Sequence, residues 1–311
     1  MTIESHGRRL RKLRVQLIDA CNFRCVYCMP KNPTFLPAHK LLKHDEMADI
    51  CGRLIALGVD EIRLTGGEPL LYPEFGELVE SLSKLKLKKL GLTTNGFHLL
   101  SFLPRLQDSA LRHINVSLDS LDPEKFYKAT RRKALHEVME SILQAHAMGF
   151  AVKVNAVAMR GINDDEIFDF MNFSRRTGIS VRFLELMKIG PQQENFAKYF
   201  ISMDEMVEKI SLRHGMRPVA VPADNTAREF VLDNGARVGF IASESKSFCG
   251  NCSRLRLTAT GGLRPCLFMD REVNLRGLSG AAFEEAVHRV AAMKPTERIE
   301  KIAQPMYAIG G

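Results

Sequence analysis

The chain contains no tryptophan and only five tyrosines, and aromatic residues make up 7% of its 311 positions. With so few stacking surfaces and no appended basic or aromatic-rich segment, it carries no recognisable nucleic-acid module. No apolar run approaches the roughly 18 residues of a membrane-spanning helix, so no membrane partner is expected. The opening residues, MTIESHGRRLRKLR, lack the apolar stretch of a secretory signal and run straight into a strand-like segment. No solenoid repeat and no low-complexity tract is present. Acidic residues are in deficit, 36 against 44 lysines and arginines, for a net charge of +8. That balance suits an anionic partner such as a nucleotide. Part of the excess, Lys84, Lys86, Lys88 and Lys89, falls between a helical and a strand-like run and reads as solvated surface.

Cysteine is also scarce, but its spacing carries chemistry. Cys21, Cys25 and Cys28 form a C-x3-C-x2-C run, and Cys249, Cys252 and Cys266 form a C-x2-C-x13-C set. Most [4Fe–4S] clusters take four thiolate ligands. Three thiolates leave one iron open, and an open metal position is where chemistry happens. Zinc is the alternative for either set, but structural zinc sites are closed by four ligands. The seventh cysteine, Cys51, sits among Met47, Ile50, Leu54 and Ile55 and reads as a small buried hydrophobe. Metal-type spacing without an export signal points to a reducing cytoplasm rather than to a disulfide framework.

Strand-like and helical patterns alternate through the first two-thirds of the chain. The strands are expected at 14–18, 61–65, 90–94, 113–118, 151–158 and 180–186. Helices are expected near 44–57, 73–84, 98–107, 123–130, 134–148 and 164–177. This rhythm predicts an α/β fold with a parallel sheet and right-handed crossovers. Six units are too few for a closed eight-stranded barrel, so a partial (β/α)6 TIM-like barrel is expected over 1–190. After Met187 the rhythm breaks. Residues 191–311 predict a C-terminal α+β cap carrying the second cysteine set and binding substrate. The unusual residues fall after the strands: the first cysteine loop, Gly66-Gly67-Glu68-Pro69, Thr93-Thr94-Asn95-Gly96 and Ser117-Leu118-Asp119-Ser120. Active residues of such folds sit there.

CNFRCVYCMP after a strand, followed by GGEPLL, resembles the radical S-adenosylmethionine (radical SAM) superfamily. With the second cysteine set, Ser-Arg-Leu-Arg-Leu-Thr, Leu-Arg-Pro-Cys-Leu-Phe and the final Gly310-Gly311, the chain closely resembles the GTP 3′,8-cyclase family from Leu13 to the end. The resemblance implies two [4Fe–4S] clusters, on Cys21, Cys25 and Cys28 and on Cys249, Cys252 and Cys266, with S-adenosylmethionine as cosubstrate. A 5′-deoxyadenosyl radical would take hydrogen from ribose C3′ of GTP, and the carbon radical would attack guanine C8. This is the first step of molybdenum cofactor biosynthesis. Implied partners are GTP, an electron donor of flavodoxin or ferredoxin type, a downstream pterin-forming enzyme and a second copy in a homodimer.

Roles follow residue by residue. Tyr27 is expected against the adenine of SAM, or else as packing beneath the loop. Glu68 is expected to accept the SAM amine, and the resemblance adds Gly67, Ser117 and Met187 as SAM contacts. Arg254 and Arg256 alternate with leucines, which puts both guanidiniums on one strand face, suited to phosphate. The resemblance carries substrate binding to Arg254, Leu255 and Arg256, and to Arg14, Arg63, Thr94, Lys153 and Arg182. Salt bridging inside the barrel is the alternative for the strand cations. Gly310 and Gly311 are implied to assist by reaching the active site, whereas residue pattern alone predicts a frayed tail.

The chain departs from the family at Ala20, Glu61 and Lys188, none of them a cluster ligand. Two other readings stay open on residues alone. One is a radical SAM enzyme acting on another nucleotide or a peptide. The other is an iron–sulfur protein that binds RNA or senses redox state without turnover.

Overall fold

Twelve strands pair edge to edge in one sheet. The computed structural model describes residues 2–299 and 305–310. A short hairpin comes first, β1 (Glu4–Ser5) and β2 (Arg8–Arg9). Then come β3 (Lys12–Gln16), α1 (His44–Ala56), β4 (Glu61–Thr65), α2 (Phe75–Ser83), β5 (Lys89–Thr94) and α3 (Leu99–Gln107). The series continues with β6 (Leu111–Ser117), α4 (Pro123–Thr130), α5 (Leu135–Ala147), β7 (Ala151–Ala158), α6 (Ile167–Thr177) and β8 (Ser180–Glu185). Strands β3 to β8 pair in parallel in chain order.

Local chemistry explains the boundaries. Asp122 caps α4 by accepting hydrogen bonds from the Glu124 and Lys125 amides, with Pro123 in the first helical position. Gly178, at φ 75°, ends α6 in the left-handed conformation that only glycine adopts without strain. Along β7 burial alternates. Val152, Val154, Ala156 and Ala158 are buried with the outer helices, while Lys153, Asn155 and Val157 are half-buried on the other face. β7 is thus a half-polar strand, because its inner face, with Asn155 and Val157, lines a cavity.

The C-terminal part, expected as an α+β cap, adds its strands to the sheet of the first part. It contributes α7 (Phe196–Tyr199), α8 (Met203–Ser211), β9 (Met216–Val219), β10 (Arg228–Leu232) and β11 (Arg237–Ile241). β12 (Arg254–Leu257), β13 (Gly262–Arg264), β14 (Val273–Asn274) and α9 (Gly280–Ala292) follow. Its strands extend the same sheet at both ends. β11 adds in parallel to β8, and β12 adds in parallel to β3. The order is β14-β13-β12-β3-β4-β5-β6-β7-β8-β11-β10-β9. Backbone groups of edge strands seek partners, and later strands of the same chain supply them here.

Asp224, between β9 and β10 at one edge of the sheet, reaches the start of β3 and β12. Its carboxylate accepts hydrogen bonds from Arg11 Nε (3.0 Å) and Ser253 Oγ (2.6 Å) and pairs with Lys12 Nζ (2.9 Å). Arg11 also pairs with Asp60 and Glu61. The far side of the curled sheet is therefore clasped to β3 and β12. Burial opposes ionisation of Asp224, but Ser253, Lys12 and Arg11 outweigh it and hold its pKa down to about 2. A carboxylate depressed in the folded state adds stability above its unfolded pKa, and that stability is lost as pH falls through the folded pKa. Asp224→Asn should therefore lose about 2 kcal/mol at neutral pH. Its urea-unfolding midpoint should also fall less steeply than wild type between about pH 4 and pH 2. Equal midpoints for the two proteins at neutral pH would mean that the clasp carries no load.

Candidate active site

The first cysteine loop leaves β3 and is held by the loop that leaves β4. Gly67 N donates to Ile18 O (2.6 Å), and Glu68 N donates to Ala20 O (2.8 Å). A Cβ on Gly67 would stand 2.3 Å from the carbonyl oxygens of both Asp19 and Ala20, so no side chain fits there. Ala20 takes part through its backbone, which the departure at this position leaves intact. Asn95 Nδ2 donates to Asn22 Oδ1 (2.7 Å), linking the loop after β5 to the same cysteine loop. Tyr27 Oη donates to Asp119 Oδ2 (2.8 Å), and Asp119 Oδ1 accepts from Val157 N (2.9 Å).

All six cysteines of the two sets line one cavity of about 300 Å³. Sharing that wall are Arg14, Tyr27, Gly67, Thr94, Ser117, Arg182, Met187, Arg254 and Arg256. Glu68, Arg63, Lys153, Leu255 and Gly310 are not on it. Leu255 is 0% exposed because alternation turns it to the core side of β12, which leaves only its backbone for any substrate. Glu68 is 1% exposed. Its oxygens accept from Leu70 N (3.1 Å), Thr94 Oγ1 (2.7 Å) and Asn95 N (2.7 Å). It caps the turn Pro69–Leu71 and braces the loop after β5, rather than presenting an open acceptor to the cavity as expected. Burial, against those three donors, raises its pKa to about 7.

Burial raises the first three thiols and Cys249 too, with Cys266 and Cys252 adding to the rise at Cys249, while Cys252 alone is lowered. Burial pushes Cys21 up to about 11 with Glu68 adding to the rise, and pushes Cys28 up to about 12 with Cys21 and Asp119 adding. Cys25 is raised as well, by burial and by Asp119. Burial also opposes ionisation of Cys252, but Arg254 and Lys294 outweigh it and bring that thiol down to about 6. Backbone amides point at sulfur in both sets, Phe23 N to Cys21 Sγ at 3.3 Å and Phe268 N to Cys266 Sγ at 3.4 Å. Among the described residues no three His, Cys, Asp or Glu side chains are gathered as a single metal ion requires.

The cations explain the wall's charge. Arg256, Arg14 and Arg63 are register partners across β12, β3 and β4, three guanidiniums side by side. Like charges on neighbouring strands repel. Burial, then Arg256, Arg254 and Arg63, pull Arg14 well below its ordinary value. Burial and nearby arginines lower Arg63 and Arg256 to about 10. Among the described residues none of the three meets a carboxylate in an ion pair. Arg63 lies flat across β5, donating to Leu92 O (2.8 Å), and a Cβ on Gly91 would come within 3.1 Å of its guanidinium. Lys153 and Arg182 instead follow the salt-bridge alternative, both contacting Glu229 Oε1 (2.9 Å and, from Arg182 Nε, 3.1 Å).

The tail is not frayed over residues 305–310. Met306–Ile309 form a 3-10 turn in which Tyr307 and Ile309 are buried. Arg256 Nη1 donates to Gly310 O (2.6 Å), and Gln16 Nε2 donates to Tyr307 O (3.1 Å). Gly311 lies outside the described residues. Sequence reasoning left several wall residues unassigned: Asp119, Asn115, Asn155, Thr93 and Lys294. Thr93 Oγ1 and Asn155 Oδ1 are buried there with no hydrogen-bond partner among the described residues. Their only signal is position, on inner faces near strand ends.

Comparison with known proteins agrees with this geometry. Residues 15–174 match the Radical SAM superfamily model, and residues 179–300 match Molybdenum Cofactor Synthesis C. A GTP 3′,8-cyclase of Synechocystis sp. is 43% identical over 99% of this chain and 94% of its own length. One from Thermodesulfovibrio yellowstonii is 40% identical over 99% of both chains. Mouse molybdenum cofactor biosynthesis protein 1 is 42% identical over 92% of this chain, which spans 46% of that longer protein. Among solved structures, Streptococcus suis SuiB bound to S-adenosylmethionine superposes with a TM-score of 0.66 at 15% identity. It covers 90% of this chain and 68% of its own, and shares the fold. The chain thus belongs to the radical SAM superfamily and, within it, to the GTP 3′,8-cyclases.

The family's cofactors are a [4Fe–4S] cluster with S-adenosylmethionine and, typically of the GTP 3′,8-cyclases, a second cluster. The residues present fit these groups. Each thiol set offers three soft donors on the cavity wall, amides point at sulfur, and two unpartnered polar atoms face the space between. Gly67→Ala should lower stability by about 1–3 kcal/mol through overpacking. It should also cut iron bound after anaerobic reconstitution by displacing the first cysteine loop. Wild-type iron content and melting temperature in this variant would show that the close approach is dispensable.

Proposed function

We propose that this chain binds GTP in the cavity and closes a bond between ribose C3′ and guanine C8, beginning with loss of the C3′ hydrogen. A single observation carries the reading: Arg14 and Arg256 stand in register on the wall shared by the two cysteine sets, with Arg63 next in the row, and none of the three has a carboxylate partner among the described residues. Buried like charges of this kind need a polyanion to offset them, and arginine forks match phosphate oxygens in pairs. The triphosphate would lie along this row, joined by Lys153 and Arg182 once Glu229 is shared with it. Thr94 and the unpartnered Thr93 and Asn155 would orient the sugar.

Cys21, Cys25 and Cys28 would hold one cluster, and Cys249, Cys252 and Cys266 the other. When bound, the first cluster with S-adenosylmethionine supplies a 5′-deoxyadenosyl radical able to take an unactivated hydrogen. Tyr27, fixed by Asp119, offers a rigid aromatic face for the adenine, and Gly67, Ser117 and Met187 border the same space. Arg254 and Lys294 favour thiolate at Cys252 of the second set, beside which the guanine would rest. Gly310, bonded to Arg256, brings the tail to the phosphate row, where Gly311 would assist. Attack within one bound molecule avoids the entropy of bringing reactants together.

The reading carries with it a low-potential electron donor of flavodoxin or ferredoxin type, a downstream pterin-forming enzyme and a homodimer. The seven cysteines are free thiols, which supports a reducing compartment such as the cytoplasm.

Reconstituted enzyme given GTP deuterated at C3′ should return deuterium in 5′-deoxyadenosine. Turnover with unlabelled 5′-deoxyadenosine would refute C3′ as the abstraction site. Arg14→Ala should weaken GTP binding about 10- to 100-fold, the loss of a charge-assisted contact of about 1.5–3 kcal/mol. Isothermal titration on the loaded enzyme measures it, and an unchanged Kd would remove Arg14 from the phosphate site.

A further inference from the structure

The cavity accounts for the inward cations, but a second basic cluster lies on the outer side of the first cysteine loop. The junction of α4 and α5 supplies Lys128, Arg131, Arg132 and Lys133, and this segment is bonded to the loop itself. Arg24 N donates to Thr130 O (3.0 Å), and Val26 N donates to Ala129 O (2.9 Å). Arg131 ends α4 in the left-handed conformation, φ 57°, which turns the chain across the loop. Lys128, Arg132 and Lys133 are exposed.

Several cations elsewhere on the surface are matched. Arg105 meets Glu77 and Glu80, Lys125 meets Asp165, and Arg276 meets Glu46. At this junction none of the four cations has an ion pair among the described residues, and Arg131 Nη1 is buried without any hydrogen-bond partner among them. Aromatic contacts lead inward from the patch. The Arg132 guanidinium lies over the Phe97 ring (5.1 Å), and Phe97 meets Phe23, between Cys21 and Cys25, edge to face at 6.2 Å. Beside it Tyr127 is exposed, with Lys133 over its ring (5.8 Å). An exposed tyrosine among unmatched cations is the composition of a protein-docking surface, where complementary charge steers encounter.

We propose that Lys128, Arg131, Arg132 and Lys133 form the docking site of an acidic one-electron carrier protein of flavodoxin or ferredoxin type. The proposal rests on the reading of Cys21, Cys25 and Cys28 as the seat of a reducible cluster. One electron leaves the reduced carrier, which is oxidised by one equivalent, and enters that cluster, which is reduced by one. No atom is exchanged. The patch is bonded to the loop that would hold the cluster, so a bound carrier comes close to it without entering the substrate cavity.

The test uses the cluster-loaded full chain and the triple variant Lys128→Glu, Arg132→Glu, Lys133→Glu. Calorimetric titration with an acidic flavodoxin at low salt should show binding to wild type that weakens at least about tenfold in the variant and on adding salt. Formation of 5′-deoxyadenosine driven by reduced flavodoxin should fall by a similar factor, while the rate driven by dithionite stays within about twofold. Absence of wild-type binding, or equal affinity of the two proteins, overturns the proposal. So does an equal fall under both reductants, which marks a structural defect. Loss of affinity for a single-stranded RNA with flavodoxin binding intact would make the patch a nucleic-acid surface and also overturn it. If dithionite yields no 5′-deoxyadenosine from wild type, the reading of the first cysteine set has failed, and the calorimetric arm still decides whether the patch binds the carrier.

Discussion

The parallel pairing of β12 with β3 is the constraint on which the site depends. β3 leads into the first cysteine loop, and Cys249 and Cys252 stand immediately before β12, with Cys266 just after β13. One strand junction between residues far apart in the chain therefore places both cysteine sets on a single cavity. The same pairing sets Arg256 beside Arg14, and Arg14 beside Arg63. A register slip of one residue would turn these arginines into the core and the leucines toward the cavity. The apolar partners Leu13, Val15, Leu255 and Leu257, all buried, make that slip costly.

The two cysteine sets differ in what their surroundings favour. At the first, burial and the nearby Asp119 and Glu68 favour the protonated thiol, so metal must displace protons to bind. At the second, Arg254 and Lys294 favour the thiolate at Cys252. Lys294 is itself held by the carbonyls of Arg254 (2.6 Å) and Pro265 (2.8 Å), which ties the end of α9 to both flanks of the second set. A thiolate at Cys252 among these cations is suited to hold its metal beside an anionic substrate.

The local part of this design was legible in the residues. The six parallel strands match the expected spans to within about two residues, because apolar periodicity and the Gly/Pro/Asn loops are local signals. The alternation of Arg254 and Arg256 with leucines correctly put both guanidiniums on one face. What needed long-range contact was not legible. Nothing local to Arg254–Leu257 says that it joins β3, so the expected α+β cap carried no sign that its strands continue the sheet. Glu68 read as an open acceptor, because its cap on Leu70 and its bonds to Thr94 and Asn95 depend on how neighbouring strands align. Lys153 and Arg182 could not be told from free phosphate ligands without knowing that Glu229 faces both. The tail read as frayed because its anchors, Gln16, Thr65 and Arg256, lie hundreds of residues upstream or on another strand.

The central claim is that two three-thiol sets share one cavity and that each holds a four-iron cluster with one open iron. Iron and acid-labile sulfide, counted after anaerobic reconstitution of wild type and of a Cys249→Ala, Cys252→Ala variant, test it most directly. The account predicts about eight irons and eight sulfides per wild-type chain and about four of each in the variant. Four irons in wild type, an unchanged count in the variant, or zinc in either protein would contradict it.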